Sequence, residues 1–159
     1  MEPLQQYCLS TAVYVVRDDG KILLLKRAEG SALAGQFFLP GGIVENDELP
    51  IDGAVREVSE EAGLVLSGLH PVGSYPMHVY GERFLQLTYW AAIEMSDVQL
   101  SHEHTESQWV DPAEMLAFLT DDAITVIADG APHIVDMLGH IRNDLRMFLS
   151  IDCRQPADG

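Results

Sequence analysis

Two periods of apolar residues along this chain predict its secondary structure. Ser10 to Arg17 and Lys21 to Lys26 are apolar runs of strand length, and Asp18-Asp19-Gly20 between them is typical of a hairpin turn. Apolar side chains alternate with others across Glu82 to Glu94, which is the period of a half-buried strand. Leu64 to Ser74 is a further strand-like segment. Together these segments predict a β-sheet.

Two other segments show the helical period. Pro50 suits the first turn of a helix and Gly63 suits its end, so one helix is predicted between them. The apolar stripe of this helix consists of Val55, Val58 and Ala62. A second helix is predicted over about 132–151, where apolar residues again recur on one side.

Shorter segments complete the fold class. A short strand is expected at Phe37 to Leu39, another at Ser107 to Val110, and a helix start at Asp111 to Glu114. Strands mixed with helices indicate an α/β or α+β fold in which helices cover a mixed sheet. The length of 159 residues favours one domain. This domain is expected to span 1–153, followed by a flexible tail at 154–159.

The charge balance narrows the classes of ligand. The chain carries 9 basic and 25 acidic residues, for a formal net charge of −16. Nucleic-acid polymers are bound largely through lysine and arginine, so we expect no such polymer as a partner. A small phosphorylated ligand held through a metal ion stays compatible with this charge.

Cysteine usage and hydropathy indicate the compartment. Cys8 and Cys153 lie near opposite ends without metal-binding or redox spacing, so two reduced thiols are expected. No apolar run approaches the ~20 residues that span a bilayer, and the first residues show no secretory signal pattern. The sequence therefore predicts a cytoplasmic protein with no membrane partner.

The predicted first helix carries an acidic cluster. Glu57, Glu60 and Glu61 stand at positions i, i+3 and i+4, which fall on one helix face. Their mutual repulsion is relieved when hard cations bind, and oxygen-only sites suit Mg²⁺ or Mn²⁺. Taken alone, the cluster is more often a solvated acidic face than a metal site.

The segment from Gly42 to Leu64 resembles the Nudix box, G-x5-E-x7-R-E-U-x-E-E-x-G-U, where U is a bulky aliphatic residue. Every fixed position matches: Gly42, Glu48, Arg56-Glu57-Val58, Glu60-Glu61, Gly63 and Leu64. Weaker similarity extends outside the box, at Lys26-Arg27, Pro40-Gly41-Gly42 and Glu103-His104 before Trp109-Val110. Phe37 departs from the pattern, because many Nudix proteins have Trp there.

Resemblance to the Nudix hydrolases implies an α/β/α sandwich with a mixed sheet between helices. It also implies cleavage of a nucleoside diphosphate linked to a group X. Mg²⁺, or Mn²⁺, would relieve the charge of the pyrophosphate and lower the pKa of a bound water. The substrate would be a small nucleotide derivative. A nucleotide sugar such as ADP-ribose, a nucleoside triphosphate and a dinucleoside polyphosphate all stay open.

The resemblance also assigns candidate roles to the acidic residues and to Arg56. Glu57 and Glu61 are expected to bind the metal, followed by Glu60, and Glu45 is a further candidate ligand. Arg56 is expected to orient a box glutamate, Glu48 for example. Its alternative is a structural pair with Glu60 at i, i+4.

Residues outside the helix complete the candidate site. Glu103 and Glu106 share a predicted loop, and either carboxylate could reach the metal or the attacking water. Glu103 is favoured. A box glutamate is an alternative acceptor for the proton of that water. Arg27 would bind phosphate oxygens. Gly41 and Gly42 would let the backbone approach metal or phosphate. Tyr80 is a candidate contact for the base, although a position in a rim loop is favoured for it.

Two further classes of function compete with hydrolysis. The first is a Nudix-like module that senses a nucleotide without cleaving it, against which the intact acidic cluster weighs. The second is an interaction domain, supported only by the C-terminal helix, which more simply covers the sheet or forms a homodimer contact.

Overall fold

The computed structural model describes residues 1–31, 34–79, 81–118 and 133–150, and these form six strands and three helices. In chain order they are β1 (Cys8–Arg17), β2 (Ile22–Arg27), β3 (Phe37–Phe38), α1 (Pro50–Ala62), β4 (His70–Val79), β5 (Glu82–Ile93), β6 (His104–Val110), α2 (Pro112–Phe118) and α3 (His133–Ser150). The predicted tail lies outside the described residues.

The strands form one mixed sheet in the order β3-β2-β1-β5-β4, and β6 also pairs with β2. β1 runs parallel to β5 along its whole length, from Cys8 opposite Phe84 to Arg17 opposite Ile93. The pairs β1–β2, β2–β3 and β4–β5 are antiparallel. The mixed α/β fold predicted from the sequence is confirmed.

One face of this sheet and α1 share a hydrophobic core. Alternate residues of a strand point to the same face, and so Val13 and Val15 both turn toward the helix. Their core partners are Leu23, Leu25, Ala54, Val58, Ala62, Leu64, Leu66 and Ala91. Each fully buried aliphatic side chain of this kind contributes about 1.5–3 kcal/mol. The core therefore holds α1 at a fixed position against β1.

Local signals set the ends of α1. Pro50 occupies its first turn, where a missing N–H costs no helical hydrogen bond. Gly63 ends the helix with φ of 67°, a left-handed conformation that glycine adopts readily, and its N–H donates to the Ser59 carbonyl at 3.0 Å. Both ends agree with the sequence prediction.

By contrast, the strand predicted from Leu64 to Ser74 is present only from His70 onward. Strand β4 then continues through Pro76 to Val79, beyond the predicted end. Leu64 is buried in the core without strand pairing. Among the described strands, β4 pairs with β5 alone and so lies at an edge of the sheet, where proline is tolerated because a strand bonds to a neighbour on one side only.

The strand predicted at Ser107 begins earlier, at His104. Glu106 therefore lies within β6, whereas the sequence predicts a loop at this position. Pairing with β2 gives the earlier residues a backbone partner, which no local signal in the sequence announces.

The chain divides into two compact units, Met1–Trp109 and Val110–Gly159. The first contains the sheet and α1. In the second, α2 and α3 pack together, and the described part of the apolar stripe of α3 is buried: Leu138, Ile141, Leu145 and Phe148. The single domain over 1–153 stays a prediction. Among the described residues, no helix combines the length and apolar character that crossing a membrane requires.

Candidate active site

A glycine turn runs beside the first half of β1. The Thr11 N–H donates to the Gly42 carbonyl at 2.8 Å, and the Val13 N–H donates to the Pro40 carbonyl at 2.9 Å. A Cβ built on Gly41 would overlap the carbonyl oxygen of Thr11. Only glycine allows the turn to lie this close to the strand, and the turn thereby reaches the carboxylates of α1.

Glu61 is the most buried carboxylate of α1, with 5% of the residue exposed. Its Oε2 accepts a hydrogen bond of 2.9 Å from the Gly41 N–H, and its Oε1 lies 3.9 Å from His104 Nε2. Glu61, Glu103 and His104 each offer one ligand atom, and these atoms lie within 4.8 Å of one another. The structure thus joins α1 to the segment that precedes β6.

Glu57 lies against the same turn, one helical turn before Glu61. A Cβ built on Gly42 would lie 2.6 Å from the Glu57 carboxylate, so the absence of a side chain at Gly42 makes room for this group. Arg56 Nη1 donates to Glu57 Oε1 at 2.9 Å. Gly41 thus lets the turn approach β1, and Gly42 makes room for the Glu57 carboxylate.

Arg56 connects this helix to the loop before it. Its Nη2 and Nε donate to the two oxygens of Glu48 at 2.6 and 3.0 Å, a bidentate pair. Its Nη1 also donates to Glu60 at 3.2 Å, so both of the pairs weighed from the sequence are present. Hydrogen bonds from Arg56 lower the pKa of Glu48 to about 2. The guanidinium is therefore anchored on Glu48 and directs its remaining donor toward Glu57.

Negative charge is concentrated around Glu61. Burial raises the pKa of Glu61 to about 7, and the charges of Glu57 and Glu103 add to this rise against the hydrogen bond from Gly41. Burial likewise raises the pKa of Glu57. Buried carboxylates that repel one another are stabilised when a cation binds among them.

The donor set fits a divalent cation. Carboxylate oxygens from Glu57, Glu61 and Glu103 suit Mg²⁺ or Mn²⁺. His104 adds a ring nitrogen, and burial lowers its pKa, which favours the neutral imidazole that can face a cation. Its buried Nδ1 has no hydrogen-bond partner in the part of the chain that the structure describes.

Arg27 supplies positive charge at the edge of this cluster. It ends β2, and the next N–H, that of Ala28, donates to the Glu103 carbonyl at 2.8 Å. The charge of Arg27 lies close enough to lower the pKa of His104. Its buried Nε has no partner among the described residues. A phosphate oxygen is a suitable acceptor for such a donor.

The other candidates from the sequence lie apart from the cluster. The side chains of Glu60 and Glu45 are 59% and 71% exposed, and both approach Arg56. Glu106 pairs with Lys26 at 3.5 Å. Tyr80 lies outside the described residues. Sequence reasoning did not single out His104 as a site residue; its place directly after Glu103 at the start of a strand was the available signal.

Comparison with known proteins agrees with this fold. The family model described as the NUDIX domain matches residues 6–129. The chain is 35% identical over 104 residues to a CTP pyrophosphohydrolase of Escherichia coli (strain K12), covering 65% of this chain and 76% of that protein. It is 33% identical over 136 residues to a MutT-like protein of Streptomyces ambofaciens, covering 80% and 82%.

A solved structure has the same architecture. The crystal structure of a MutT protein from Methanosarcina mazei Go1 has a TM-score of 0.67 and 26% identity, and the match covers 90% of this chain and 98% of that one. The fold, the carboxylate cluster and these relatives define a hydrolase that acts on pyrophosphate bonds. Within that class, the chain belongs to the NUDIX domain family.

Proposed function

We propose that this protein is a divalent-metal-dependent pyrophosphohydrolase whose substrate is a nucleoside triphosphate. Water would cleave the bond between the α- and β-phosphates and release a nucleoside monophosphate and pyrophosphate. The observation that carries the proposal is that Glu57 and Glu61 meet the turn at Gly41 and Gly42, while Glu103 lies beside Glu61. The E. coli relative, named a CTP pyrophosphohydrolase, supports the substrate class.

In this proposal Glu57 and Glu61 hold the metal, with Glu103 beside them. A bound divalent cation would supply charge neutralisation for the pyrophosphate and a more acidic water. The backbone at Gly41 and Gly42 lies beside Glu61 and Glu57, and we expect metal or phosphate oxygens to approach it there. These groups are fixed before substrate arrives, so little reorganisation is needed during the reaction.

Glu103 is our candidate acceptor for the proton of the attacking water. It is the most solvent-accessible carboxylate of the cluster around Glu61, so it can exchange that proton with solvent afterwards. Glu61 is the alternative acceptor, since burial already raises its proton affinity. Glu60 and Glu45 are outer candidates, because their carboxylates would first have to turn away from Arg56.

Two cationic residues support this chemistry in different ways. Arg56 positions Glu57 through its own anchor on Glu48, and we do not expect it to touch the substrate. Arg27 would bind the phosphate chain with the donor that no described residue uses.

We further expect a cytoplasmic protein, and self-association stays a prediction that light scattering at several concentrations would test.

A metal-supplemented substrate screen tests the proposal. Nucleoside triphosphates, ADP-ribose and a dinucleoside polyphosphate are each incubated with Mg²⁺ or Mn²⁺, and products are identified by mass. We expect a monophosphate and pyrophosphate from at least one triphosphate, and no product when EDTA is present. Cleavage of ADP-ribose or the dinucleoside polyphosphate alone would contradict a nucleoside triphosphate as the substrate. Saturable nucleotide binding without any product would favour a module that binds a nucleotide without cleaving it.

Variants make the screen specific to the site. Glu61→Gln keeps the size of the side chain and removes its charge, and we expect turnover to fall by about 100-fold or more, the scale of losing one group that stabilises the transition state. Glu94→Gln is the matched control, because Glu94 is exposed just after β5. Full activity in Glu61→Gln would remove this residue from the proposed mechanism.

A further inference from the structure

The face of the sheet opposite α1 carries polar side chains at the active-site end of β1. Because Val13 and Val15 face the helix core, Ser10 lies on the other face. Strand register places Ser10 opposite Gln86 on β5, and Gln86 opposite Tyr75 on β4. Residues in register across neighbouring strands share a face. Three side chains that can form hydrogen bonds thus stand in a row across three strands.

Gln86 is the unusual member of this row. It is 9% exposed, yet its side-chain amide makes no hydrogen bond with any residue that the structure describes. Thr88, two residues further on the same face, is also buried but donates to the Gly73 carbonyl at 3.2 Å. The amide atoms of Gln86 are not among the fully buried polar atoms that lack a partner, so solvent reaches them. The amide of Gln86 is therefore available to a group from outside the described chain.

The row lies one strand away from the glycine turn. On the side of β1 away from β5, Ser10 pairs with Ile43, and the neighbouring Thr11 N–H donates to the Gly42 carbonyl. Adjacent strands are about 4.8 Å apart, so two spacings place the backbones of Gln86 and Ile43 ~10 Å apart. A nucleotide has its phosphates at one end and its base at the other. Phosphates held at the turn would leave the base within reach of Gln86.

We propose that Gln86 is a specificity-determining residue that recognises the nucleobase of the substrate. A primary amide offers a donor and an acceptor side by side, which complements a base edge with the same pair, such as the amine and ring nitrogen of cytosine or adenine. This inference rests on the proposed function, because it assumes that a nucleotide occupies the site. The inference adds a residue that binds the nucleobase, at a position separate from the carboxylates that act on the phosphates.

Steady-state kinetics of Gln86→Leu test the inference. For the best nucleoside triphosphate we expect KM to rise about 5- to 150-fold, the range for losing one base contact with two hydrogen bonds, while kcat changes little. Ribose 5-triphosphate, which has no base, should be hydrolysed equally well by parent and variant. The ranking among CTP, UTP, ATP and GTP should flatten. Gln99→Leu, the same change at an exposed position, should behave as the parent.

Binding measurements separate this inference from the proposed function. Calorimetric titration with the four nucleoside monophosphates needs no turnover, so a base preference that Gln86→Leu abolishes supports the inference even if no triphosphate is cleaved. An unchanged ranking of bases, or an equal loss with ribose 5-triphosphate, would overturn it. So would binding of none of the four monophosphates. A clear fall in Tm for Gln86→Leu would show that the amide bonds to the chain itself, which also contradicts the inference.

Discussion

Replacing Glu61 with glutamine should stabilise the metal-free protein while removing its activity. The parent carboxylate is buried beside Glu57 and Glu103, which raises its pKa from the ordinary 4.5 to about 7. Between these two pH values the folded protein keeps a proton that the unfolded chain has released. Folding is therefore progressively penalised as the pH rises through this window, and the penalty is complete above pH 7.

The magnitude follows from the width of the window. Each pKa unit corresponds to about 1.4 kcal/mol, so a rise from 4.5 to about 7 costs the folded state about 3 kcal/mol at pH 8. Glutamine at position 61 has no charge to desolvate, and its carbonyl can still accept the hydrogen bond from Gly41. We expect Glu61→Gln to be about 3 kcal/mol more stable than the parent at pH 8, and equally stable near pH 4.5.

Urea unfolding in EDTA across pH 4.5–8 measures this difference. Glu60→Gln is the matched control, because it removes a charge from the same helix at a side chain that is 59% exposed; its effect should stay within about 0.5 kcal/mol at every pH. Saturating Mg²⁺ should narrow this difference. A cation at 100 times its Kd stabilises the parent by about 2.7 kcal/mol, and should stabilise the variant less.

Two outcomes would refute the reasoning. A stability difference that is the same at pH 4.5 and pH 8 would mean that the titration of Glu61 does not contribute to it. A variant less stable than the parent at pH 8 in EDTA would mean that the carboxylate is stabilised by the protein alone and needs no cation.

Two glycine substitutions test the geometry around α1. Gly42→Ala should displace the Glu57 carboxylate, because the new Cβ would lie 2.6 Å from it; turnover should fall at least ~10-fold while the circular dichroism spectrum stays native. Gly68→Ala is the control, because the space around Gly68 is open. Equal activity of the two variants would contradict the proposed position of Glu57. Gly63→Ala should lower the free energy of unfolding by ~1–3 kcal/mol, because φ is 67° there and the Cβ would lie 2.9 Å from the Cβ of Gln99; an unchanged urea midpoint would argue against the left-handed helix end.

The extent of α1 could be predicted because its determinants are local. A proline in the first turn and a glycine after the last act on the backbone of their own segment, so Pro50 and Gly63 mark the helix in the sequence as they do in the structure. The start of β4 at His70 could not be predicted in this way. Its position at the sheet edge depends on pairing with β5, which comes later in the chain.

The acidic residues of α1 also show what local sequence signals cannot predict. Spacing placed Glu60 and Glu61 on one helix face, and only the resemblance to the Nudix family ranked Glu61 above Glu60 as a metal ligand. In the structure Glu61 is buried against Gly41, whereas Glu60 faces solvent beside Arg56. These two consecutive residues differ in burial only because α1 packs on β1.

The sequence by itself determined the fold class, the helix α1 and the residue types of a pyrophosphate-cleaving site, because all three follow from periodicity, local backbone preference and a motif within 23 residues. Only the tertiary structure decided which side chains meet. Glu103 and His104 join Glu61 across about 40 positions of chain, and Gln86 lies one strand from the glycine turn through the register of β1 with β5. Contacts between distant segments depend on strand pairing and packing, and these are properties of the whole chain.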